Sequence, residues 1–88
     1  MPYIPRDERK ELEPLVAALI AKLSEGPVEK LDGKLNYVIT RLIAGLYSPS
    51  YFNYNRALGV LSAVSHELYR RRIAPYEDEK IRQHGDVY

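Results

Sequence analysis

Apolar side chains return along this chain at steps of three and four residues, the spacing that gathers them on one side of an α-helix. Leu12, Leu15, Val16, Leu19, Ile20 and Leu23 form the first stripe. Pro14 falls just inside it, and proline is tolerated in a first turn but not in a helix interior. The pattern therefore predicts a short leading helix over residues 5 to 12 and a main helix over 13 to 24, stopped by Gly26-Pro27. Leu35, Val38, Ile39, Leu42, Ile43 and Leu46 make a second stripe, on a helix of about 14 residues with Asp32 as its expected N-cap. Ser48-Pro49-Ser50 breaks the chain, and a third helix is expected to run to about Arg72, with Tyr54, Leu58, Leu61, Val64 and Leu68 turned inward. Pro75 closes it and is placed to open a fourth. There Glu77, Asp78 and Glu79 suit the positive end of the helix dipole, and Gly85 supplies the stop.

The second helix is apolar around most of its girth, since Asn36, Thr40 and Arg41 are the only polar side chains between Leu35 and Tyr47, with Tyr37 counted as apolar. Such a helix is expected to be surrounded by partners. Gly59, inside the third helix, costs roughly 1 kcal/mol relative to alanine, and with Ala63 one turn later it predicts a close helix crossing. No strand-like alternation of useful length is present. The expectation is an all-α single domain over residues 1–88: a small antiparallel helical bundle of three main helices with short N- and C-terminal helices.

A length of 88 residues with 45% apolar composition suits one small core. With no cysteine, the fold has no disulfide or thiolate metal site to lean on, and a reducing, cytoplasmic setting is expected. The start of the chain lacks the basic and apolar stretches of a signal peptide, and the chain reads as whole.

The net charge is +1, but residues 1 to 33 sum to -2, residues 34 to 72 to +5 and residues 73 to 88 to -2. Either the acidic ends fold against the basic middle, or the middle presents an anion-binding face.

Candidate chemistry is sparse. His66-Glu67 begins a zinc-protease helix motif, but Arg70 stands where the second histidine belongs, and no metal or cofactor is expected. The glycines at 26, 33, 45, 59 and 85 are too scattered for a phosphate loop. Ser62 and Ser65 lie within a helix with no histidine placed to activate them. No enzyme activity is expected on these grounds.

The remaining feature is a surplus of tyrosine. Eight of nine aromatics are tyrosine, and six of the eight fall between residues 37 and 76 among Arg41, Arg56, Arg70, Arg71 and Arg72. Tyrosine and arginine dominate binding hot spots, and they also stack on bases and pair with phosphates; in a small helical core, tyrosines equally well line the margin. The candidate interaction residues are Tyr37, Arg41, Tyr51, Tyr54, Asn55, Arg56, Glu67, Arg70 and Arg71. Arg41, on an otherwise apolar helix, needs a carboxylate, and Glu67 is the only acid between residues 34 and 72.

Five segments carry a family resemblance: MPYI at the start, LNYVITRL, NYNRALGVL, ELYRRRIAPYEDEK, and HGDVY at the end. Through them the chain resembles a family of short, uncharacterised proteins of prokaryotes and their phages, nearly end to end. The resemblance implies a natural domain and assigns no functional residue.

The expected function is a protein-protein interaction module that self-associates, as a homodimer or small homo-oligomer, with no membrane partner. The alternative is a nucleic-acid-binding protein that uses the basic 34–72 segment, with Arg56, Arg70, Arg71 and Arg72 on phosphates and Tyr51 or Tyr54 on bases.

Overall fold

The computed structural model describes residues 1–88 and contains helices and no strands. The main helices are α1 (Arg6–Leu23), α2 (Leu31–Leu46) and α3 (Tyr51–Leu68), followed by α4 (Ala74–His84). A single 3-10 turn, Val28–Lys30, leads into α2.

Pro14 does not divide α1. The helix runs unbroken from Arg6 to Leu23, so the separate leading helix over residues 5 to 12 is not formed. Proline at this position removes one N–H and crowds one carbonyl, that of Lys10, on an exposed turn where water can take the freed group. Continuing the helix keeps Leu12 on the same stripe as Leu15 and Val16, which a break would scatter. Gly26 does end the helical course, with φ at 83°, a conformation open to glycine. The start of α2 differs from expectation. The helix begins at Leu31 with Lys30 in the capping position and no side-chain cap, which leaves Asp32 inside the first turn.

Ser50 caps α3 by accepting the backbone N–H of Asn53 at 3.0 Å. Asn53 in turn donates its side-chain amide to the Ser48 carbonyl at 3.0 Å and the Ser48 hydroxyl at 3.1 Å, which ties the connecting loop to the helix it precedes.

Pro75 was expected to stop the third helix, and the chain finds another solution. Between α3 and α4 lies a π-helical turn, Tyr69–Ile73, in which the Ala74 N–H bonds to the Tyr69 carbonyl five residues back. The wider turn makes room for a ring that has no N–H to offer. The helical course therefore continues from α3 through this turn into α4 and ends at His84.

The helices do not lie side by side. In an up-down-up bundle the start of the first helix and the end of the third sit at opposite ends. Here Tyr3, just before α1, donates its hydroxyl to Glu67 at the end of α3. The end of α1 leads into α2, and the end of α2 into α3. Three helices of about 24 to 27 Å therefore bound an open, three-sided frame. The side-by-side antiparallel bundle is not formed within one chain, and the physical reason is that its apolar faces meet only at the corners.

Burial follows from this shape. Ala57, 5% exposed, is the one buried residue. The stripe of α3 expected to face inward, Tyr54, Leu58, Leu61, Val64 and Leu68, is exposed throughout. Gly59 approaches nothing, with open space where a Cβ would stand, so the expected close crossing is absent from the single chain. The radius of gyration is 16.8 Å, against about 12 Å for a compact chain of this length.

Replacing the helix-interior proline tests the account of α1. Pro14→Ala should raise the stability to urea by up to about 3 kcal/mol, because it restores the missing bond without disturbing the stripe. An unchanged or lowered urea midpoint would mean that Pro14 is held for another reason.

Candidate interaction surface

The apolar stripes read from the sequence are the dominant surface feature. On α1, Leu12, Leu15, Val16, Leu19 and Ile20 are all exposed, Leu15 by 67%. On α2, Leu35, Ile39, Leu42 and Leu46 are open in the same way. Surface leucines are normal singly, but here each of three helices leaves a whole apolar stripe exposed.

Where α2 turns into α3 the two helices enclose an open cleft of about 510 Å³, lined by Ile39, Thr40, Ile43, Ala44, Tyr47, Pro49, Tyr54 and Leu61. Its polar atoms are few: the Thr40 hydroxyl already donates to Asn36 at 3.3 Å. The cleft is lined mostly by apolar atoms.

The tyrosine and arginine candidates divide into three groups. Tyr54 lines the cleft. Arg56 sits at the cleft's outer edge, with its guanidinium 5.3 Å from the centre of the Tyr47 ring and 5.5 Å from that of Phe52, and it donates to Asn53 at 3.2 Å. Tyr37, Arg41, Tyr51, Asn55 and Arg71 have no hydrogen bond or ion pair through their side chains and stand in solvent, with Tyr51 exposed by 87%. Glu67 and Arg70 form the third group, at the far corner of the frame.

That corner is a polar latch. Arg70 donates through Nη2 to Glu67 at 2.6 Å and to the Tyr3 hydroxyl at 3.4 Å, while Tyr3 donates to the same Glu67 carboxylate. The Glu67 side chain is only 17% exposed. The Arg70 hydrogen bond, then the Tyr3 hydroxyl, hold the Glu67 carboxyl below the ordinary carboxylate value of 4.5. The expected Arg41–Glu67 pair is not formed. Arg70 lies one turn along the same helix, where the i,i+3 spacing makes the pairing local, and Arg41 lies on another side of the frame.

Three contributors escaped the sequence reading. Tyr3 was seen only as part of the chain's start. Asn53 carries the loop clasp, a role that the Ser-x-Ser-x-x-Asn spacing from Ser48 could have signalled. Tyr69 donates to Glu77 at 2.9 Å across the π-helical turn. That bond, made by the neutral phenol, raises the Tyr69 pKa above its ordinary value of 10.0.

No three histidine or acidic side chains gather as a metal-holding group, and no helix is long and apolar enough to cross a membrane. The class these observations define is a small all-helical domain whose apolar faces are presented outward. The chain belongs to the family described as Domain of unknown function (DUF6899), which it matches over residues 1–87. Searches of curated proteins and of solved structures found no match.

The latch has a pH signature. A carboxylate whose folded pKa is lowered stabilises the fold fully above its ordinary value, and that contribution is lost as the pH falls through the lowered one. For Glu67 the loss should begin near 4.5 and finish below it. Thermal midpoints taken from about pH 6 to about pH 3 should therefore fall more steeply for the natural chain than for Glu67→Gln. Equal slopes would remove the latch from the acid response. Tyr69 works in the opposite direction, since its raised pKa gives stability that is present below 10.0 and lost as the pH climbs through the raised value.

Proposed function

We propose that this protein is a non-enzymatic, cytoplasmic interaction module that self-associates as a homodimer, in which the helices of two copies complete the antiparallel bundle that one copy leaves open. One observation carries the proposal. The chain exposes 8108 Å² to solvent, whereas a compact protein of 10.2 kDa exposes about 5,300 Å². The excess of about 2,800 Å² per chain, doubled for a pair, falls in the range of obligate homodimer interfaces, which run from about 2,000 to beyond 5,000 Å².

Energetics point the same way. Fixing a residue's backbone costs about 1–2 kcal/mol, and the main offset is apolar area withdrawn from water at about 25 cal/mol per Å². With a single fully buried alanine and 8108 Å² exposed, one chain alone withdraws less area than a compact domain of its size. The chain's net charge of +1 leaves little repulsion between copies.

The nucleic-acid reading has less behind it. Of its four phosphate contacts, Arg70 is engaged by Glu67 and Arg56 lies against Tyr47 and Phe52, which leaves Arg71 and Arg72. Retention on DNA or RNA that weakens steeply with salt would favour it.

Sedimentation equilibrium at micromolar concentration should give twice 10.2 kDa, and helicity should fall together with mass on dilution. A stable monomer with a radius of gyration near about 12 Å would overturn the proposal. Leu15→Asp provides a second check. At a solvated position this change would alter stability by no more than about 0.5 kcal/mol, but within an interface it should weaken association by about 2 kcal/mol, roughly thirtyfold in Kd.

A further inference from the structure

We infer that the dimer is built by exchange: the apolar stripe of α1 from one copy seats in the α2–α3 cleft of the other, and the reverse. This rests on the self-association proposed above and specifies which surfaces meet.

Ile39, Ile43 and Ala44 come from the second half of α2, Tyr54 from the first turn of α3 and Leu61 from just past its middle, and Tyr47 from the loop between them. The cleft therefore occupies the corner where α2 meets α3. In the three-sided frame, α1 is the side opposite that corner. Its end is held at the start of α2, where Lys34 donates to the Glu25 carbonyl at 2.6 Å. Its beginning is held at the end of α3 by the Tyr3–Glu67–Arg70 latch. With its ends placed in this way, α1 lies across the frame from its own chain's cleft.

The α1 of a second copy is not so placed. Each chain offers one unfilled apolar cleft and one unfilled apolar stripe, and two copies related by a twofold axis satisfy both at once with neither left over. The guest suits the cleft, because Leu12, Leu15, Val16, Leu19 and Ile20 present branched side chains on one helix face. The cleft wall is mostly apolar, with the hydroxyls of Thr40, Tyr47 and Tyr54 as its side-chain polar groups. The area to be covered also exceeds what a small ligand or a single peptide groove removes, and it matches an extensive pairing between chains.

The absence of native cysteine makes the inference directly testable. Single-cysteine chains, Leu12→Cys, Leu15→Cys and Leu19→Cys on α1 and Ile43→Cys on α2, are prepared with tags of different size. Each α1 variant is mixed with the α2 variant, allowed to exchange subunits and oxidised. A disulfide needs Cβ atoms about 3.5–4.5 Å apart, so a bridge reports contact. The expected result is a disulfide-linked heterodimer between Ile43→Cys and at least one α1 variant, in large excess over either homodimer. Circular dichroism of the reduced variants confirms that each keeps its helices, so that failure to fold is not scored as failure to meet. Bridges formed only between two α1 cysteines would overturn the exchange and leave self-association standing. So would the absence of any α1–α2 bridge in a chain that still sediments as a dimer. A monomeric natural chain would overturn the underlying proposal instead. A chain carrying Leu15→Cys and Ile43→Cys together that closes an internal bridge at monomer mass would also exclude exchange.

Discussion

An ordered helix must place its apolar side somewhere other than water, because the entropy lost on fixing each residue is offset chiefly by area withdrawn from solvent. In this chain the three long helices diverge from their shared corners, and most of the residues in their stripes are exposed. Everything else about the molecule follows from that constraint. The extended shape, the open cleft at the α2–α3 corner and the lack of a conventional core are one fact seen from three sides.

Polar contacts hold the corners of the frame. Tyr3, Glu67 and Arg70 close one, Lys34 and the Glu25 carbonyl another, and the Ser48–Ser50–Asn53 clasp the third. Exposed pairs of this kind contribute little stability individually. They mark where the two ends of α1 sit, across the frame from the cleft.

The two internal prolines show how far a local rule carries. Both positions break the i to i-4 ladder, yet α1 passes through Pro14 without a change of type while the chain before Pro75 widens into a π-helical turn. Gly26 and Gly85, by contrast, end helices as their freedom at positive φ predicts, whereas the expected cap Asp32 lies inside the first turn of α2 and the cap observed is Ser50 on α3. Rules that concern one residue's own backbone held. Those that depend on whether a neighbouring turn can adjust did not decide the outcome alone.

Helical class, the three apolar stripes and most of the breaks between helices were legible in the sequence, because periodicity and turn chemistry act over fewer than ten residues. The pairing of Glu67 could not be read in the same way. Arg41 and Arg70 offer the same charge, and the choice between them depends on distance in space. The relation of helix to helix was also out of reach, since amphipathic stripes show that a face needs cover without naming what covers it. Tyr3 meeting Glu67 across 64 positions is the kind of contact that only the tertiary structure decides. It accompanies an open frame where a bundle was expected, since the angle between helices depends on contacts distant in sequence and a local pattern does not carry it.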